Sequence, residues 1–595
     1  MLPARPPSSP NKSSAYTQYT DQLNVPNGPT NAPSTMSTFT FPPLDDVLSV
    51  PQLYEFHAKN SPDHPVYMYV DPVTGALCDI TYAEVWARIG VAMKLISRRQ
   101  STLPDRGISG RAGSRTVIGI VALSDALSYI YTMLAIVSLG DAVFPMSLGN
   151  SAQAIAHLAE TTGIRQIFVS EDEGTQALVH DAAGLLREKG IEVDLVPMIK
   201  YADTEPTSDQ GEEARIVDIA DDEVMMYLHS SGTTGMSKAV PITRKGSRQA
   251  SNLTRLGEVD FLGKRIGMHT NPPCHGLGTR AINAPISTGA IVAVYPPIWP
   301  PTVPTPANFL QAWTACKCDI ILCIPPFLEA LAKNPANLLA LKGLEYVIYS
   351  GVSMKKATGD MLSASGVRLC SFYGCTEGGS SGEWEYFELH PHVACTMVPM
   401  KGRGGGFDAV MTVSETVAPN AFNTELDGKP ALSFEDVLEP HPTDPRRWKV
   451  LGRRSNQIVL SAGANVNPAP IEETLVQDPR IKSAIVFGHQ QLEIGVLVEA
   501  APSHDIPPGD MEAIEKFKQS IWPTFEKINE TAASYAKIRR EMILVTSPDK
   551  PLQYTAKRTP RRDICLVLYS KEIEDLYASA EADESPEKRE FRLRM

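Results

Sequence analysis

Cysteine is scarce and unpatterned: nine residues in a chain of 595. Cys316 and Cys318 form a C-x-C, but there is no C-x-x-C pair and no histidine cluster nearby. Metal-ligand spacing is therefore absent, and a reduced intracellular compartment, cytoplasmic by default, is the expectation. Long apolar runs are missing too. The most apolar stretch, 117–146, is broken by Asp125, Gly140 and Asp141, so it reads as strand, helix, strand rather than as a membrane span. The N-terminus has no charged start leading into an apolar run, and no secretory signal is expected. Nor is there an excess of positive charge: 55 Lys and Arg stand against 68 Asp and Glu, a net charge of −13. That argues against nucleic acid or a membrane surface as a partner held by bulk electrostatics.

What is present is a soluble, globular composition, 43% hydrophobic and 21% charged, in a chain too long for one core. Residues 1–40 are rich in Pro, Ser, Thr and Asn and cannot bury enough surface to offset chain entropy, so disorder is expected there. The chain turns globular near residue 47. Apolar strands are expected at 117–123, 166–169 and 191–196, with helices at 126–139, 151–160 and 175–189. That alternation predicts an α/β layered domain with a mostly parallel sheet. Residues 320–324 and 346–350 read as two more buried strands. A second, smaller α/β unit is expected after about 453, with strands at 458–461, 482–487 and 492–499 and helices at 470–476 and 511–537. The expected organisation is a large domain over 45–452, a small one over 453–578 and a charged tail over 579–595.

One stretch organises the rest. After an apolar strand at 224–228 come Ser230, Ser231, Gly232, Thr233, Thr234 and Gly235, then Lys238. Glycines let successive backbone N–H groups turn inward as an anion nest, the hydroxyls add donors and the lysine adds charge. Three residues, Gly-Met-Ser, separate Thr234 from Lys238, so this is not a Walker A loop. A solvated turn between two strands is the plain alternative, and a polyphosphate cradle is the functional one. In an α/β sheet such a loop lies beyond the carboxyl ends of the strands, where ligands bind.

The order Ser-Ser-Gly-Thr-Thr-Gly-x-x-Lys resembles the phosphate-binding motif of the adenylate-forming superfamily. Its members are acyl-CoA synthetases, luciferases and adenylation domains of nonribosomal peptide synthetases. Further stretches follow in family order. Asn271-Pro-Pro-Cys-His-Gly-Leu-Gly resembles the stretch whose histidine, here His275, borders the acyl pocket. Gly351 follows a strand where relatives carry a turn against adenine. Ser371-Phe-Tyr-Gly-Cys-Thr-Glu-Gly is similar to the motif in which Tyr373 would face adenine, Thr376 would touch the α-phosphate and Glu377 would help hold Mg²⁺. Asp436 matches the aspartate that accepts hydrogen bonds from the ribose hydroxyls, and Arg453 the arginine near the ribose. Lys557 matches the lysine that bridges the carboxylate and the α-phosphate. The stretch Pro440-His-Pro-Thr, Trp448 and Trp384 resemble fungal adenylate-forming reductases and related synthetases.

The resemblance implies a large layered α/β domain with mostly parallel sheets and a small mobile C-terminal domain. It implies ATP and Mg²⁺, and activation of a small carboxylic acid as acyl adenylate with release of pyrophosphate. Coenzyme A or the phosphopantetheine of a separate carrier protein would then accept the acyl group. No carrier-type Gly-Gly-Asp-Ser-Leu stretch follows Lys557, so a carrier is expected in trans. Both acceptors stay open. The sequence departs from the family at Phe434 and Glu435 in place of Thr-Gly, at Ser455 and Asn456 by the hinge, at Ala464 and Asn465 in place of Glu-Lys, and at Arg558 in place of glycine. An ATP-binding homologue that has lost activity and serves in regulation or scaffolding is the alternative they support. Residues 271–282 contain no acidic side chain. A buried substrate ammonium would have no partner there, so an acid without an α-amino group is expected.

Overall fold

Phe39 marks the start of the folded part. It is 5% exposed, and its ring stacks on His57 with centroids 4.6 Å apart. His64 and Tyr82 complete the box around it, and the Thr40 N–H donates to Ser61 Oγ at 2.8 Å. Residues 39 and 40 are thus packed into the fold ahead of the expected onset near 47, because the Phe39 ring fills that box. The structure, a computed structural model, describes residues 38–44, 48–101, 115–206, 215–231, 237–256, 259–351, 354, 356–375, 378–399, 407–414, 416–453, 458–461, 463–466, 468–504, 506–554, 560 and 562–582.

The apolar stretch that begins at 117 resolves into the strand Val117–Val121, the helix Ala126–Ser138 and the strand Ala142–Pro145. Asp125 caps the helix by accepting from the Ser128 N–H at 2.9 Å. Every helical residue after Ala126 is buried. Two of its hydroxyls are satisfied by the preceding turn, Thr132 by Ser128 O and Ser138 by Leu134 O. A six-stranded sheet runs Asp194–Pro197, Gln166–Val169, Val117–Val121, Ala142–Pro145, Val224–Ser231, Ser237–Thr243. Its pairs are parallel except the last, an antiparallel hairpin. The expected strand at 191–196 begins later, at Asp194.

A fifteen-stranded sheet has two halves. In one, Pro65–Val70, Ile291–Ala293, Arg265–Gly267, Ile320–Cys323, Tyr346–Tyr349 and Leu369–Cys375 lie parallel. From Leu369–Cys375 onward every pair is antiparallel, through Gly378–Glu383, Phe387–Glu388, Arg447–Arg453, Asp436–Pro440 and Phe407–Met411. This antiparallel half has no counterpart among the strands expected from the sequence. The parallel strands end together, so the segments after Gly267, Ala293, Cys323 and Tyr349 share one edge.

The C-terminal portion has its own cores. Its three-stranded sheet is Ile481–Phe487, Gly495–Ala500 and Ile543–Val545. Helices Pro468–Leu475, Met511–Thr531, Arg562–Leu568 and Ser570–Ala582 accompany it. The long helix stops at Thr531 rather than 537. In its last turn Asn529 clamps both backbone groups of Ile538, each at 2.8 Å, and holds the chain that follows back against the helix end.

Candidate active site

The hydroxyl- and glycine-rich stretch joins two strands of one hairpin. Its register sets Ser230 against Lys238 and Ser231 against Ser237. Lys238 is thus on the returning strand, level with Ser230, and is exposed. It makes no ion pair with any described residue. Gly232, Thr233, Thr234 and Gly235 lie outside the described residues.

The base of the hairpin is held by two groups that sequence reasoning did not single out. His229 Nε2 accepts from the Ser147 N–H at 3.1 Å and lies 3.4 Å from Asn150 Nδ2. Asn150 Oδ1 accepts from Ser237 Oγ at 3.2 Å, so one amide ties both strands to the turn after Ala142–Pro145. Burial first, and then the nearby His275, pull His229 down to about 3, which keeps its ring neutral. A histidine directly before the Ser-Ser-Gly run was the available signal.

His275 faces His229, with ring centroids 6.2 Å apart and planes at 67°. The adjacent Cys274 sulfur raises the His275 pKa against the burial that lowers it. His275 itself is exposed. Gly351 stands at the end of Tyr346–Tyr349 with φ +92°, a conformation that strains any side chain.

The second cluster forms where the parallel half of the long sheet gives way to the antiparallel half. The Tyr373 hydroxyl donates to Asp436 Oδ2 at 2.7 Å. Tyr373 stacks on Phe387 at 4.2 Å and 17° and meets the edge of Phe434 at 5.7 Å. Asp436 is 9% exposed, and its ladder partner across the strands is Arg453. The structure therefore joins Tyr373, Asp436 and the Arg453 backbone, though 63 residues separate the first two. Thr376, Glu377 and Lys557 lie outside the described residues, as do Ser455, Asn456 and Arg558.

With this geometry in place, known proteins supply a comparison. The family model described as AMP-binding enzyme matches residues 54–399, and the AMP-binding enzyme C-terminal domain matches residues 455–581. The chain belongs to the AMP-binding enzyme family. An adenylate-forming reductase of Heterobasidion annosum is 32% identical over 93% of this chain and 52% of that protein. A non-canonical nonribosomal peptide synthetase of Acremonium egyptiacum is 25% identical over 89% of the chain and 47% of that protein. The chain thus spans about half the length of the curated relatives it matches. Among solved structures, the adenylation–carrier didomain of the Segniliparus rugosus carboxylic acid reductase, in complex with AMP, superposes with a TM-score of 0.64. It is 16% identical over 91% of this chain and 84% of that one. The o-succinylbenzoate CoA synthetase of Bacillus subtilis gives a TM-score of 0.62 at 15% identity, over 86% and 97%. These likenesses show the adenylate-forming fold: a large layered α/β domain with a small C-terminal one.

Within this AMP-binding enzyme, one departure from the family pattern is now explicable. Glu435 holds φ +57°, the left-handed region a glycine enters freely. The Glu435 N–H donates to Ser433 Oγ at 3.1 Å, which closes the turn before Asp436.

Proposed function

We propose that this chain binds ATP and a carboxylic acid, forms the acyl adenylate with release of pyrophosphate, and passes the acyl group to a thiol. The acceptor is coenzyme A or the phosphopantetheine of a separate carrier protein. The observation that carries this reading is the buried Asp436 carboxylate, oriented by Tyr373 beside Arg453 at the sheet's switch from parallel to antiparallel. A fixed carboxylate at such an edge is an acceptor for a diol, as a ribose requires.

In this reading two anions must meet, and the work is electrostatic and positional. The hairpin N–H and hydroxyl groups with Lys238 hold the leaving phosphates. Asp436 and Arg453 hold the ribose, and Tyr373 and Gly351 border the adenine. Lys557 and Thr376 meet the α-phosphate, and Lys557 also meets the reacting carboxylate. His275 lines the acyl pocket. Glu377 is the ligand assigned to Mg²⁺, an ion that offsets phosphate charge when bound. Among the described residues no three His, Cys, Asp or Glu converge on a metal. One protein carboxylate with phosphates and water around it suits Mg²⁺ carried in with ATP.

The division into portions 45–452 and 453–578 belongs to the same proposal. It is supported by the separate cores of the C-terminal part. A cytoplasmic location is part of it too, and among the described residues no helix is long and apolar enough to cross a membrane. The test is ATP–pyrophosphate exchange with a panel of aryl and aliphatic acids, followed by transfer to coenzyme A or a loaded carrier. Acid-dependent exchange is expected. ATP binding without exchange for any acid would favour the inactive, regulatory homologue instead.

A further inference from the structure

Arg280 opens the helix Arg280–Thr288, five residues after His275 on the same segment. It is half-buried. Its Nη1 donates to Thr254 Oγ1 at 2.9 Å and Ala250 O at 3.3 Å, and its Cζ lies 5.1 Å from the centre of the Phe372 ring. Phe372 is the neighbour of Tyr373 on the strand Leu369–Cys375.

Among the described residues no carboxylate pairs with Arg280. Its Nε and Nη2 donate to none of them, and neither nitrogen is sealed from solvent. Those two nitrogens are one of the edges that grip a carboxylate in a bidentate fork. The helix adds charge of the same sign, because its N-terminus is positive and its first turn has no acidic residue. Partial burial pulls the guanidinium down to about 10, consistent with a half-buried cation that has no counter-charge among the described residues. An uncompensated charge at that depth is costly. The cost is recovered when an anion docks.

We propose that Arg280 is the counter-charge for a second anionic group on the acid, so that the substrate class is dicarboxylic acids. This rests on the acid-activating reading above. It adds a reason for the exclusion of α-amino acids, since Arg280 would repel a substrate ammonium.

The experiment compares succinate, glutarate, adipate and isophthalate with their monomethyl esters in ATP–pyrophosphate exchange, for the parent and for Arg280→Met. For at least one diacid the parent should exceed the ester by roughly thirtyfold or more in kcat/KM, the scale for a buried charge pair. Arg280→Met should bring that ratio to within about threefold, while the Kd for ATP, read by calorimetry, stays within about twofold. Arg280→Lys, which keeps the charge and loses the fork, should give an intermediate ratio and serves if the Met variant does not fold. Esters that match or beat every diacid in the parent would overturn the proposal, as would a loss in Arg280→Met shared equally by diacid and ester. A weakened ATP affinity would assign Arg280 to the nucleotide instead. If no acid of any kind supports exchange, the acid-activating reading fails; exchange with the monoacids alone overturns only the role of Arg280.

Discussion

Asp436 and Tyr373 are joined by a single hydrogen bond, which under the proposed function would fix the carboxylate before a nucleotide arrives. Stacking on Phe387 limits the Tyr373 ring, and the ring's hydroxyl limits the carboxylate. Asp436→Ala is expected to weaken ATP binding by about 1–3 kcal/mol, the range for charge-assisted hydrogen bonds. Tyr373→Phe should cost about 0.5–1.5 kcal/mol, and little more when Asp436 is already Ala, because both act through one group. Calorimetry on the four proteins of that cycle reads this directly; an ATP affinity unmoved by Asp436→Ala would remove the residue from the site. Lys557→Ala should leave the thermal midpoint nearly unchanged and slow adenylate formation on the order of a hundredfold, as loss of one preorganised charge does. Adenylate formed at the parent rate would break the correspondence for that lysine.

Secondary-structure elements carry the departures from the family pattern. The strand Asp436–Pro440 starts from Glu435 at φ +57°, where an L side chain costs about 1–2 kcal/mol. Replacing it by glycine relieves that strain but frees the unfolded chain by about 0.4–1 kcal/mol. Glu435→Gly should therefore raise stability by roughly 0.5–1 kcal/mol, read as a higher urea midpoint at unchanged slope. A lower midpoint would mean that the Glu435 side chain contributes more than its backbone shape costs. The hairpin of Val224–Ser231 and Ser237–Thr243 is tied to the turn after Ala142–Pro145 by Asn150, which bonds Ser237 and lies beside His229.

The molecule as a whole depends on histidines kept neutral. Burial pulls His57 down to about 4 and His269 down to about 3, and both are almost wholly inaccessible, at 0% and 6%. Their ordinary value is 6.5, so below it the unfolded chain takes up protons that the folded chain refuses. Above about pH 6.5 neither group affects stability. From there down to about pH 4 each lowers it by up to about 1.4 kcal/mol per pH unit. Urea unfolding between pH 4.5 and 7.5 should show stability rising with pH, and His269→Gln should flatten the slope. An unchanged slope would place that ring's titration near its ordinary value in the folded state.

The sequence alone determined what depends on near neighbours. The strand 166–169 and the helix at 126–139 were legible because their apolar runs are continuous and admit few other local structures. The family motifs were legible because chemistry needs those residue types in that order. Tertiary structure alone decided what depends on distant pairing. The bond from Tyr373 to Asp436 spans 63 residues and the brace from Asn150 to His229 spans 79. The antiparallel half of the long sheet, the box that buries Phe39 and the placement of Arg280 against Thr254 and Phe372 arise in the same way. Short polar strands and lone side chains have little local preference. Their positions are set by which surfaces meet once the larger apolar elements have packed.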